Sequence, residues 1–141
     1  MENFVADTIF IDAPTDRVFS ALIEPEEILE WLDGSEARIA AGVGGAYQVS
    51  RLDGVSHRGT IAELRAPERL RIADWWVESP SGSARGPMEV TWTVEPHDGG
   101  VWVTVRQDSL DTHPGWESYA LEARAEWVRA TVALKRLIEG I

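Results

Sequence analysis

Three polar residues fall where a buried acid–base group would be placed. Arg51, His57 and Asp74 each continue the inward alternation of a predicted strand, so their side chains are expected to face the interior. A buried carboxylate needs a charged or hydrogen-bonding partner, because an unpaired buried charge is very costly. One hypothesis is that these side chains form a polar group that orients a ligand or acts as acid and base, although perturbed ion pairs are structural more often than catalytic. A β-bulge would instead leave Asp74 in solvent, and a structural ion pair would contain the same residue types.

Other residues capable of chemistry lack the spacing that their chemistry needs. Asp108, Asp111 and His113 could suggest a metal, but their gaps match no recognised ligand spacing, and aspartates before a helix usually cap it. Ser81 and Ser83 lie in a predicted loop with no His–Asp partner at a recognisable spacing. The sequence therefore predicts no metal, no cofactor and no catalytic nucleophile.

The elements that must position these side chains are mostly strands. Apolar residues alternate with polar ones in short segments separated by turns, which predicts an antiparallel meander of about six to seven strands. Apart from a first strand that includes Ile9, the predicted strands cover residues 36–40, 46–51, 56–65, 69–78, 88–94 and 101–105.

Helices are predicted at both ends of this meander. Pro14 suits the first turn of a short helix, and Pro25 ends that helix and begins a second one. From Pro114 to Gly140 the apolar residues recur at three- and four-residue steps, which predicts a helix of about 24 residues. A long amphipathic helix beside a large antiparallel sheet should lie across the concave face, because both apolar faces must be buried.

Several motifs occur in an order that resembles a known superfamily. The opening segment carries Ala13, Pro14, Val18, Phe19, Leu22, Pro25 and Trp31. Later motifs are Gly44-Gly45-Ala46-Tyr47, Arg58-Gly59-Thr60-Ile61, Ala66-Pro67-Glu68-Arg69-Leu70, Asp98-Gly99-Gly100 and the closing segment 127–140. This set resembles the START-like, helix-grip (SRPBCC) superfamily. The closest branch is similar to the activator of the heat-shock protein 90 ATPase, although Glu126 stands where that family usually has a glycine.

The resemblance implies one START-like domain over residues 1–141. Its α+β helix-grip fold would wrap a curved antiparallel sheet around the long C-terminal helix, with two short helices after the first strand. Similar domains hold lipophilic molecules between sheet and helix, in mostly apolar pockets. Alternation then selects the residues expected to line such a pocket or to fill a core: Tyr47, Val49, Ile61, Ile72, Trp76, Val90, Trp92, Val103, Val105, Trp127, Ala130 and Leu134.

The function that the resemblance implies is non-catalytic binding of a small hydrophobic or aromatic molecule. One alternative is an enzyme of the cyclase or hydrolase type that uses the polar residues of the pocket. The other is a co-chaperone-like interaction protein with a role in stress response. A chaperone partner is not expected, because the chain has no second domain that could help to clamp it.

Composition excludes several other classes of function. The 141 residues include no cysteine, so disulfides and thiol chemistry are excluded. A net charge of −11 makes nucleic acid and anionic membranes poor partners. The first eight residues lack the basic and apolar regions of a signal peptide, so a cytoplasmic location is expected. The oligomeric state stays open, and a homodimer is compatible with the sequence.

Overall fold

Seven strands form a single antiparallel sheet in the computed structural model, which describes residues 3–141. The strands are β1 (Val5–Ile11), β2 (Gly34–Ile39), β3 (Ala46–Arg51), β4 (Ser56–Arg65), β5 (Arg69–Glu78), β6 (Ala84–His97) and β7 (Gly100–Asp108). The helices are α1 (Thr15–Ile23), α2 (Pro25–Trp31) and α3 (Trp116–Glu139). The spatial order of the strands is β1-β7-β6-β5-β4-β3-β2, and every neighbouring pair is antiparallel. The predicted α+β helix-grip fold is confirmed.

Local sequence explains the helix boundaries. Pro25 occupies the first turn of α2, where its missing N–H costs no hydrogen bond. Gly140 ends α3 in the left-handed conformation with φ of 74°, and its N–H donates to the carbonyl of Arg136. Among residues 3–141, no helix is long and apolar enough to cross a membrane.

Polar contacts fix α3 against β1. The hydroxyl of Thr131 donates to Asp7 Oδ2 at 2.6 Å, and Lys135 Nζ donates to the carbonyl of Phe10 at 2.7 Å. Near the end of the helix, Glu139 Oε2 accepts a hydrogen bond from the backbone N–H of Asp12. These bonds set the position of α3 on the curled sheet, and the side chains of both elements fill the space between them.

Large aromatic rings meet at the centre of this core. The rings of Trp31 and Trp127 lie edge-to-face with Trp92, with centroids 5.4 and 5.7 Å apart. Trp75 lies next to both Trp127 and Tyr47. Such rings contribute much of the burial in a domain of this size.

A β-bulge in β5 overturns part of the predicted register. Asp74 and Trp75 together lie opposite the single residue Gly59 of β4, because Arg58 pairs with Trp76 while Thr60 pairs with Ala73. Asp74 adopts the left-handed backbone, with φ of 51°. The prediction that Asp74 faces inward is therefore wrong, as is the same prediction for Trp76: Asp74 is exposed, and Trp76 lies beside Arg58 on the outer face. Trp75 takes the inward position.

Candidate functional site

His57 is the most unusual buried side chain in the interior. It is 6% exposed on β4, and its ring stacks on Trp75 with centroids 5.3 Å apart. Burial lowers the pKa of His57 from 6.5 to about 4, and the positive charge of Arg51 lowers it further, while Asp53 opposes the change. The ring is therefore neutral at pH 7 and offers one donor and one acceptor. Within residues 3–141 neither ring nitrogen has a hydrogen-bond partner.

Arg51 connects the interior to α3. Its guanidinium binds Asp53 Oδ2 at 2.9 Å through Nη2 and Glu126 Oε2 at 3.2 Å through Nη1. The third nitrogen, Nε, is buried and has no partner in the described part of the chain. Two carboxylates thus balance the charge of Arg51 while one N–H stays available to a ligand.

Trp75 adds a further unsatisfied donor beside His57. It is 2% exposed, and its indole Nε1 makes no hydrogen bond to any group of residues 3–141. Arg51, His57 and Trp75 together present three N–H donors and one acceptor nitrogen. We name these three residues the donor cluster.

Gln107 continues this polar region towards α3. This side chain is 1% exposed on β7 and accepts a hydrogen bond from Trp127 Nε1 at 2.7 Å. Its amide Nε2 donates to the hydroxyl of Tyr119 at 3.0 Å and contacts Met88 Sδ at 3.2 Å. Burial raises the pKa of Tyr119 to about 12, opposed by the hydrogen bond from Gln107, so the phenol stays protonated at neutral pH.

A cleft of about 260 Å³ lies between the sheet and the first half of α3. Its lining combines apolar, hydroxyl and charged side chains: Val55, Val77, Ser79, Ser83, Arg85, Tyr119, Glu122 and Glu126. Val77 is the cross-strand neighbour of His57, and Glu126 binds Arg51, so the cleft borders the donor cluster. Arg85 covers the ring of Tyr119 at 4.9 Å. We name this space the mouth cleft.

The structure brings together only part of the predicted acid–base group. Arg51 and His57 lie near one another, whereas Asp74 lies on the opposite face of the sheet. An acid–base set of all three residues is therefore not assembled. Other residues expected to be inward are buried, namely Tyr47, Val49, Ile61, Ile72, Val90, Trp92, Val103, Val105, Trp127, Ala130 and Leu134. Their role in ligand binding stays a prediction.

The remaining candidates have separate partners. Asp108 binds Arg106, Asp111 accepts a hydrogen bond from Asn3, and His113 contacts the carbonyl of Gly86. Across residues 3–141, no three His, Asp or Glu side chains are grouped as a metal site would require.

Sequence reasoning missed two functional candidates that carried a signal. Gln107 continues the inward alternation of Val101, Val103 and Val105, and a polar side chain in that register is as informative as Arg51. Glu126 occupies the position where similar sequences usually have a glycine, and the structure places it against Arg51. Trp75 gave no such signal, because its inward position depends on the bulge at Asp74.

Comparison with known proteins agrees with the helix-grip fold of the chain. The family model described as Activator of Hsp90 ATPase homolog 1-like protein matches residues 12–139. No curated protein sequence matches the chain.

Three solved structures illustrate the likeness. The DynU16 protein from the dynemicin biosynthetic locus is 21% identical with a TM-score of 0.81, over 99% of this chain and 48% of its own. This chain thus spans about half the length of DynU16. Protein MLL2253 from Mesorhizobium loti is 19% identical with a TM-score of 0.78, over 96% of each chain. The Aha1 dimer from Colwellia psychrerythraea, a solution structure, is 16% identical with a TM-score of 0.76, again over 96% of each chain. At these identities the likeness concerns the fold alone.

Proposed function

The chain belongs to the family described as Activator of Hsp90 ATPase homolog 1-like protein, and we propose that it binds a small aromatic molecule bearing a hydroxyl or carbonyl group. The ligand enters by the mouth cleft and reaches the donor cluster. No turnover is part of this proposal, because the acid of the predicted acid–base set, Asp74, lies outside the interior.

One observation carries the proposal: four buried side-chain nitrogens of Arg51, His57 and Trp75 have no partner among residues 3–141. An unsatisfied buried donor or acceptor costs about 1–3 kcal/mol, so such groups are rare unless they serve a ligand or a solvent molecule. A hydroxyl group suits this inventory, because it accepts from the N–H donors and donates to the neutral ring of His57. The adjoining aromatic rings supply a flat apolar wall.

The test compares two probes on the wild-type protein and on two variants. 1-Naphthol and 1-methylnaphthalene have the same ring system, but only the first can hydrogen-bond. Titration is followed by the indole N–H signals of Trp75 and Trp127 in ¹H–¹⁵N NMR spectra. We expect the wild-type protein to prefer 1-naphthol about tenfold, the ratio that about 1.4 kcal/mol of hydrogen bonding gives.

His57→Phe keeps an aromatic ring that can stack on Trp75 and removes both nitrogens, so it should reduce this preference; the donors of Arg51 and Trp75 remain. The control is His97→Phe, which changes a histidine exposed on the far side of β6 and should leave the preference unchanged. Equal affinity of the wild-type protein for both probes, or shifts that avoid the Trp75 indole, would refute the proposal.

Assembly is part of the same proposal. The relative from Colwellia psychrerythraea is a dimer in solution, and this supports a homodimer of the present chain. Ultracentrifugation should then give about twice the 15.6 kDa of the chain.

A further inference from the structure

A second cleft, of about 520 Å³, lies on the outer side of α3 beside α2. Apolar side chains form much of its lining, and two arginines and one carboxylate complete it: Glu30, Val128, Arg129, Val132, Ala133, Arg136, Leu137 and Ile141. Its volume falls in the range of small-molecule sites, about 300–1,000 Å³. We name it the α3 cleft. Helix α3 contributes to both clefts, but the two share no lining residue.

The charge distribution distinguishes the α3 cleft from the rest of the molecule. The chain carries 13 basic and 24 acidic side chains. Among residues 3–141, eight of the basic side chains form ion pairs with carboxylates, namely Arg17, Arg38, Arg51, Arg65, Arg69, Arg71, Arg106 and Lys135. Arg58 and Arg85 instead lie over the rings of Trp76 and Tyr119. The three remaining arginines are all on α3.

Two of those three, Arg129 and Arg136, line the α3 cleft. They are seven residues apart, so they lie on one face of the helix about 10 Å from each other along its axis. Arg136 is in the last turn and also opposes the negative end of the helix dipole. Arg129 lies mid-helix and has no such role. Two guanidinium groups without an ion-pair partner among residues 3–141, beside an apolar floor, match a ligand with an anionic head and an apolar body.

We propose that the α3 cleft binds a free amphipathic carboxylate, such as a medium-chain fatty acid. The carboxylate forms paired hydrogen bonds with a guanidinium, and the hydrocarbon chain covers Val128, Val132 and Leu137. An anionic membrane fits less well, because a net charge of −11 repels an extended negative surface. A single small anion in the cleft meets two arginines and one carboxylate, Glu30, so the local field is still positive.

The test uses decanoate below its micelle concentration, with decanol as the uncharged control. Binding is followed on the full chain by ¹H–¹⁵N NMR. We expect decanoate to shift backbone signals of residues 128–137 and to bind at least tenfold more tightly than decanol. The double variant Arg129→Gln/Arg136→Gln should lose at least tenfold in affinity for decanoate. Arg124→Gln is the matched control, because Arg124 is on the same helix, is exposed and does not line the cleft.

Three results would overturn this proposal. The double variant could bind decanoate as tightly as the wild-type protein, which would remove the arginines from the site. Decanoate could shift the indole signals of Trp75 and Trp127 instead of the signals of α3, which would place it in the interior. Finally, vesicles of anionic phosphatidylglycerol could bind the protein in an arginine-dependent way while decanoate does not, which would make the surface a membrane contact.

Discussion

Acidification should destabilise the protein through His57 in a defined pH window. Well above pH 6.5 the ring is neutral in both the folded and the unfolded chain, so it adds no pH dependence there. Between pH 6.5 and about 4 the unfolded chain takes up a proton that the folded protein excludes, because burial lowers the pKa of His57 to about 4. Stability is therefore lost as the pH falls through this window, and the loss levels off below it.

The size of the loss follows from the same pKa. A tenfold change in proton affinity corresponds to about 1.4 kcal/mol, so a pKa of about 4 against 6.5 gives a loss of about 3 kcal/mol. This is a large part of the 5–15 kcal/mol that is typical of a whole domain. Glu63 and Glu139 also lose stabilisation on acidification, because their ion pairs and hydrogen bonds lower their pKa values. The total loss is therefore not diagnostic, and a difference between variants is needed.

Urea unfolding at pH 7, 6, 5 and 4 supplies that difference. His57→Phe removes the titrating ring but keeps the carboxylates, so the wild-type protein should lose about 3 kcal/mol more than this variant between pH 7 and pH 4. His97→Phe is the control, because it makes the same substitution at an exposed position on the outer face. Parallel curves for the wild-type protein and His57→Phe would show that the ring is not held neutral by burial, and the reasoning on its pKa would fail.

Two further predictions concern the bulge that sets the register of β5. In Gly59→Ala the new Cβ would lie 2.6 Å from Ile72 Cγ2 and 2.9 Å from the carbonyl of Ala73, so we expect a loss of about 1–3 kcal/mol in urea unfolding. Gly42→Ala, where a Cβ meets nothing within 4 Å, is the control and should change stability by less than about 0.5 kcal/mol. Asp74→Gly should raise the free energy of unfolding by about 1 kcal/mol, because glycine adopts the positive φ of 51° without the cost that a side chain brings. A less stable Asp74→Gly protein would show that the aspartate itself holds the bulge.

The fold could be predicted from the sequence because its elements have strong local signals. Turn residues and period-two alternation gave the bounds 46–51, 56–65 and 69–78 as the structure has them. The 24-residue helix followed from the change to a three- and four-residue period after Pro114. Each of these signals depends on residues close together in the chain, and so one sequence is enough to find them.

The site could be predicted only in part, because its geometry depends on one inserted residue. The bulge at Asp74 reverses the faces of the residues that follow it, and an aspartate in a strand does not reveal whether it is inward or bulged. Arg51 in β3 and His57 in β4 lie outside the bulged strand, and their side chains face the interior as predicted. The ion pair joins Arg51 to Glu126, two residues that are 75 positions apart in the sequence, and no local pattern encodes such a contact.

The contrast among the buried aromatic side chains is the strongest argument that the donor cluster serves a ligand. Where the interior has only a structural role, the chain satisfies its polar atoms: Trp31 Nε1 donates to the carbonyl of Ala21, and Tyr47 donates to that of Leu22. The indole Nε1 of Trp127 is likewise satisfied, because it donates a hydrogen bond to Gln107. Trp75 lies next to Trp127 and has none among the described residues. Unsatisfied groups at a single place in a well-satisfied core are a cost to stability, and such costs are concentrated where a protein binds its ligand.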